Sequence, residues 1–443
     1  MRIKAAGLSP NIDKQRERDI LDVYSKQEVD AGNQGLSVRP TISSDFTRND
    51  HKLYEQYGLE PKTITQMYDV ERASTATYVD ATGKIRTAGV NEPRIDYSSG
   101  QGRLLVEEAR TNLLTWSEDF SNAAWSKVRV QNLTQMTGVP LGTYYSCEIE
   151  SGEDNSILLQ TVSVANENRT DTFSVLFRFN TASSVSLRLR DGNGTFYAVL
   201  DINNDFSTSS SGSGFVSSKV EQVCDGWVLV SLTGIFSIST SQIRVHIYTI
   251  GVGGDKLDIA YAQLEAASTP SSYIPTQASA VTRAADTVSR VLGDEINKSE
   301  WTVLVDFDFK YGTVGSPHIF SLSTSVVSSG SPRSSIRINN STGGWAWQLL
   351  SDDSSVLLNT STGLPNFNQG RNKLCYSYKN GAAVLSLNGQ AVTLTPAFTD
   401  KAFNNLAAFW ITSNAPMSNY SVIDTRIYPK YLPEQECIQL TKV

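Results

Sequence analysis

The stretch Trp301-Thr-Val-Leu-Val-Asp-Phe-Asp-Phe309 decides the fold class. Trp301, Val303, Val305, Phe307 and Phe309 alternate with Thr302, Leu304, Asp306 and Asp308. A period of two is the signature of a strand with one buried face, whereas a helix returns its apolar residues every three to four positions. Downstream, strands are predicted at 335–339, 345–350, 373–379, 382–387, 406–411 and 421–428. Asn380-Gly381 and Asn388-Gly389 lie between successive runs and read as tight hairpin turns. Upstream, alternating runs cover 171–179, 185–190, 195–202, 227–233, 243–249 and 257–264. Asp191-Gly-Asn-Gly194 is a turn between two of them. Short strands at near-regular spacing, joined by polar turns, predict an all-β chain with two antiparallel sandwiches.

Composition agrees. Charged residues make up 19% of the 443, and hydrophobic residues 40%. The polar remainder is mostly Ser, Thr, Asn and Gly, which suits outward sheet faces better than helical surfaces. With 38 Lys and Arg against 45 Asp and Glu, the net charge of -7 disfavours a bulk surface for nucleic acid or anionic lipid. No apolar run has the ~18 residues of a membrane helix, so no membrane insertion is expected. Residues 1–10 lack the apolar core of a secretory signal. Cys147, Cys224, Cys375 and Cys437 are scattered and the chain has three His, so neither a zinc site nor a redox motif is expected. Free thiols are the expected state, with Cys147–Cys224 or Cys375–Cys437 bridges as the alternative.

The chain divides into five expected segments. Residues 1–70 form an arm that carries the densest charge run, Asp13–Asp30, with Ile20, Val23 and Tyr24 on one helical stripe. That stripe is too narrow to hold an isolated helix in water, which leaves two readings: a short surface helix, or an anchoring element that orders on a partner. Residues 71–110 form a β-rich collar with turns at Asp80–Gly83 and Ser98–Gly102. Residues 111–276 are the first sandwich, 277–298 a polar connector and 299–443 the second sandwich. Pro433, Glu434 and Glu436 mark a short terminal helix.

Three stretches carry a family resemblance. Arg72-Ala-Ser-Thr-Ala-Thr77, Tyr78-Val-Asp80, Pro93-Arg94, Asp96-Tyr97 and Leu104-Leu-Val-Glu-Glu-Ala-Arg-Thr-Asn-Leu-Leu114 resemble, in order, a segment of tail-fibre and other minor structural proteins of tailed bacteriophages. Trp116–Trp125 with Ala260–Pro275 resembles the first and last strands of the carbohydrate-binding-module-like jelly roll that follows it. Tyr376–Asn388 with Val422–Leu440 resembles a concanavalin-A-like, laminin-G-like sandwich. The resemblance spans residues 72–443; no counterpart is identified for the first 70. It implies a homotrimeric virion appendage, made in the host cytoplasm, with host-surface glycans and other virion proteins as partners.

Candidate sites follow from strand parity. With Val185, Leu187 and Leu189 pointing inward, Arg188 and Arg190 point out. Arg244, His246 and Tyr248 oppose Ile243, Val245 and Ile247, and Tyr197 opposes Phe196 and Ala198. If these strands share a sheet, one face is basic and aromatic, as a sugar with an apolar face and a hydroxyl rim requires. A solvated face or a subunit interface has the same pattern. Trp345 and Trp347 share a second strand face, as a sugar platform or as core. Asp306 and Asp308 read as solvent-facing rather than as a catalytic pair. No nucleophile, phosphate or HExxH motif occurs, so no enzyme activity and no cofactor are expected. Asp352, Asp353 and Asn359 lack EF-hand-like spacing, so no metal is expected. The preferred function is glycan attachment by a phage appendage; a purely structural head-fibre or collar protein and a glycan-cleaving tailspike are the alternatives.

Overall fold

The computed structural model describes residues 36, 38, 40–55, 58–138, 140–165, 168–236, 241–309, 318–323, 333–339, 344–350, 356–360, 370–379, 381–394, 408–411 and 420–443. The fold is all-β, with antiparallel pairing throughout and a terminal helix at Glu434–Thr441.

The first sandwich stacks two six-stranded sheets. One runs Ser126–Val128, Asn155–Ser163, Gln242–Ile250, Ser184–Asp191, Tyr197–Asn203, Thr208–Ser211. The other runs Val130–Gly138, Gly142–Ile149, Lys256–Glu265, Arg169–Phe179, Val228–Phe236, Phe215–Gln222. Between them lies one apolar core that includes Val185, Leu187, Leu189, Ile243, Val245, Phe173 and Val175, all fully buried. Completely burying a side chain of this kind contributes about 1.5–3 kcal/mol. The two outer faces differ. The second sheet is covered by the collar hairpin and the returning chain, where Ile85 packs against a cluster of Leu176, Trp227, Tyr261 and Tyr273. The Tyr261 and Tyr273 rings there stack 3.8 Å apart. The outer face of the first sheet has no such cover among the described residues.

The second sandwich pairs a ten-stranded sheet with a seven-stranded one. At its centre Trp301, Val303, Val305 and Phe307 are fully buried, as their alternation requires. The opposite face of that strand is covered too. Leu304 packs with Tyr428, Leu432, Cys437 and Leu440, and Leu36 and Val38 close over them. Asp306 is therefore 3% exposed rather than solvent-facing, and Arg371 pairs with it at 2.6 Å. Asn388 and Gly389 both have positive φ (49° and 81°), the geometry of a two-residue hairpin turn.

The strand pairing crosses the segment boundaries drawn from the sequence. Ile42–Asp45, Asp50–Glu55 and Gly58–Lys62, expected in the arm, form three strands of the ten-stranded sheet, and Ile42–Asp45 pairs with Tyr420–Tyr428. From the collar, Arg103–Val106 also pairs with Tyr420–Tyr428. From the connector, Thr287–Val291 joins the facing sheet and Val281–Arg283 pairs with Arg110–Asn112. The cause is burial: Ile42, Phe46, Leu104 and Val106 are at most 1% exposed and belong to the second sandwich's core. The arm stripe Ile20, Val23 and Tyr24 lies outside the described residues.

A buried ion cluster joins these parts. Arg94 Nη1 donates to Glu107 at 2.8 Å, and Arg94 Nη2 pairs with Asp286. Arg72 Nη1 pairs with Asp286 at 2.9 Å. The backbone N–H of Ser272 donates to Glu107 at 2.7 Å. Arg72, Arg94, Glu107, Asp286 and Arg283 are all at most 3% exposed. Burial alone would raise the Glu107 pKa, but Arg283 and Arg94 beside it hold the carboxyl well below the usual range. Arg72, Arg94 and Glu107, three charged residues of the segment Arg72–Leu114, are thus the keystone between collar, connector and first sandwich.

Candidate functional site

The uncovered sheet face brings Arg188, Arg190, Arg244, His246, Tyr248 and Tyr197 together. Arg188 lies directly opposite His246, and Arg190 directly opposite Arg244. On the other side Arg190 lies opposite Tyr197, which is 39% exposed. Tyr248 is opposite Ser186 on the same face. Directly paired residues on one sheet face hold their Cβ atoms within roughly 5 Å, so these six side chains form one patch.

The patch has internal order. The Arg188 guanidinium sits over the Tyr248 ring, 3.9 Å from its centroid, and its Nε donates to Ser186 Oγ at 3.3 Å. Arg190 reaches the 191–196 turn. A Cβ at Gly194 would lie 3.1 Å from Arg190 Nη2, and Gly194 also has φ +74°, so only glycine suits that position. His246 is 7% exposed although it lies on the outer face. Its flanking residues Arg188, Tyr248 and Leu159 (directly opposite on Asn155–Ser163) surround it. Burial, and then Arg190, Arg188 and Arg244, push its pKa down to about 4. At neutral pH the imidazole is uncharged, and its Nδ1 is buried with no hydrogen-bond partner among the described residues.

None of the three arginines pairs with a carboxylate among the described residues. Arg72, Arg94, Arg103, Arg169, Arg178 and Arg290, by contrast, each rest on one. Asp201 shares the face, opposite Ser186, without an ion pair to the cluster. Beside His246 and Tyr248, Ile157 and Leu159 are half-buried and Val128 is 41% exposed, giving an aliphatic shelf. Sequence reasoning missed this shelf. Asn155–Ser163 carries apolar residues on both faces, so it shows no clean alternation.

The other candidates fare differently. Trp345 and Trp347 lie in the strand Gly344–Leu350, opposite Ile338 and Ile336, but their side chains fall outside the described residues. Asp352 and Asp353 lie outside them as well. Trp410 is core: 4% exposed, with Nε1 donating to Ser323 Oγ at 2.8 Å. The four cysteines are free thiols, three of them buried.

No family model and no curated protein matches the chain. Solved structures do match, distantly. Domain 4 of AbnA, an extracellular arabinanase from Geobacillus stearothermophilus in complex with arabinotriose, is 13% identical over 39% of this chain and 82% of its own, with TM-score 0.26. Trypanosoma rangeli sialidase is 9% identical over 90% of this chain and 98% of its own, with TM-score 0.27. Domains LG4-5 of the mouse laminin alpha1 chain are 11% identical over 76% and 95%, with TM-score 0.23. These neighbours include a sialidase and a domain of an arabinanase, which stand against the expectation that the chain is not an enzyme. At such TM-scores the likeness carries no particular activity to this chain.

Proposed function

We propose that the chain is a glycan-binding protein whose contact surface is the uncovered face of the first sandwich. The observation that carries this reading is the arginine–tyrosine patch: planar donors without carboxylate partners among the described residues, an exposed Tyr197 ring, a half-buried Tyr248 and an aliphatic shelf on one sheet. Hydroxyl rims suit the forked donors of arginine, and the apolar face of a pyranose suits the shelf and the rings.

The finer reading is a homotrimeric appendage of a tailed-phage virion that displays this face to host-surface polysaccharide. Its support is the ordered resemblance of Arg72–Leu114 to phage appendage proteins, and the role of Arg72, Arg94 and Glu107 in the keystone. In this reading residues 1–35, with Ile20, Val23 and Tyr24, dock on other virion proteins.

A glycan array probed with the intact protein and with Arg188→Ala/Tyr248→Ala tests the first reading. Binding by the parent and its loss in the variant are expected; binding that survives the variant places the contact elsewhere and overturns it. A competing reading, in which the same face is a subunit interface, draws on the exposure of Val128 (41%) and Tyr197 (39%). Light scattering on Tyr197→Asp/Val128→Asp checks it: a fall in mass favours the interface, an unchanged mass the glycan.

A further inference from the structure

We infer that the sugar taken by this face is acidic, with its carboxylate held among Arg188, Arg190 and Arg244. The inference rests on the glycan reading above and adds the charge of the ligand.

Three facts lead to it. Arg190 and Arg244 lie directly opposite each other, and Arg188 is two positions along from Arg190 on the same face. Like charges directly opposite across a sheet are destabilising, so the pairing costs stability that no carboxylate among the described residues offsets by an ion pair. Carboxylates outnumber cationic side chains, 45 to 38, and thirteen other arginines among the described residues are seated on them. Yet among the described residues no carboxylate pairs with any of these three. Finally, the centre of the cluster holds a buried imidazole whose Nδ1 has no partner among the described residues. A buried polar atom left unpaired is costly, so the centre of this face carries a polar cost at the ring as well as at the arginines.

The geometry suits a carboxylate in particular. A guanidinium offers two parallel N–H donors that match the two oxygens of a carboxylate. Arg188 is held for this by the Tyr248 ring and by Ser186 Oγ, so little side-chain freedom remains to be lost on binding. The flat sheet with a tyrosine and an aliphatic shelf favours a sugar ring over a phosphate backbone, and the acidic chain as a whole repels long polyanions.

The test uses the full chain against immobilised oligosaccharides containing glucuronate, galacturonate or sialate. Each is paired with its carboxyl-reduced neutral form, and a heparin-derived sulfated tetrasaccharide and a twelve-base-pair DNA duplex are included. At least one carboxylated probe should bind at least tenfold more tightly than its reduced form, and more weakly in 0.5 M NaCl. Arg190→Gln/Arg244→Gln should lose that preference. Arg190→Lys, which keeps the charge but not the fork, should bind at least threefold more weakly with an unchanged unfolding temperature. If reduced forms bind as tightly and the double variant loses them, the acidic inference falls while the glycan reading stands. If no probe binds, both fall. Tighter binding of the sulfated probe or the duplex overturns the carboxylate assignment.

Discussion

The Arg188 guanidinium is stacked 3.9 Å above the Tyr248 ring, across the strand pair Ser184–Asp191 and Gln242–Ile250. The stack couples a cation to an aromatic on an outer sheet face that the described collar residues leave uncovered. Cation–π contacts at part-exposed sites are worth about 0.5–1 kcal/mol. A double-mutant cycle of Arg188→Gln and Tyr248→Leu, read by urea denaturation, should return a coupling energy of that size. Additive effects would mean that the stack contributes nothing to stability.

His246 predicts a pH dependence. Its folded pKa is about 4, against 6.5 for a free imidazole, with burial the first cause and Arg190, Arg188 and Arg244 next. The unfolded chain therefore binds a proton first as pH falls. The folded state keeps its full stability above 6.5 and loses it progressively toward pH 4, by on the order of 3 kcal/mol. The groups facing the ring are those three arginines, Tyr248 and Leu159. Unfolding curves of the parent and of His246→Gln at pH 7.5 and pH 4.5 should converge as pH falls; parallel curves would show that His246 does not titrate this way.

The keystone predicts a large mutational effect. Glu107→Gln leaves Arg94 and Arg283 short of a buried counter-charge. Removing one partner of a buried pair costs about 3–5 kcal/mol. Denaturant midpoints should fall accordingly, and Arg94→Met should fall by a similar amount. A loss below ~1 kcal/mol would show that the cluster is not a structural joint.

Truncation separates arm from sheet. In the phage reading, deleting residues 1–35 should abolish incorporation into particles. Deleting residues 1–62 removes three strands of the ten-stranded sheet and the Ile42 and Phe46 side chains from its core. That protein should aggregate or lose its cooperative transition. A normal transition after the longer deletion would show those strands to be dispensable.

Local physics was legible in the sequence and long-range pairing was not. The alternation of Trp301–Phe309 gave the strand and its inward face, and Val185, Leu187 and Leu189 gave the outward direction of Arg188 and Arg190. The positive φ of Asn388 and Gly389 followed from an Asn-Gly pair. Strand parity even grouped Arg188, Arg190, Arg244, His246 and Tyr248, since parity fixes faces once two strands are neighbours. The destination of Ile42–Asp45 was hidden, because four residues carry no information about a partner almost four hundred positions away. The burial of Asp306 and of His246 was hidden for a related reason. Each lies on a polar-looking face, and what buries it comes from other elements: Arg371 for one, Leu159 and the arginines for the other.

The pairing of Ile42–Asp45 with Tyr420–Tyr428 also sets an order of synthesis. Thr41 donates a hydrogen bond to the carbonyl of Ile427, 386 positions later. At roughly 5–20 residues per second on a ribosome, the early strands wait about 20–80 s for their partner. The first sandwich needs no such wait, since all twelve of its strands lie between residues 126 and 265. It is able to close while the rest is still being translated, holding a finished domain beside exposed β-edges. For that interval the nascent chain is open to strand exchange with a neighbouring copy on the same message.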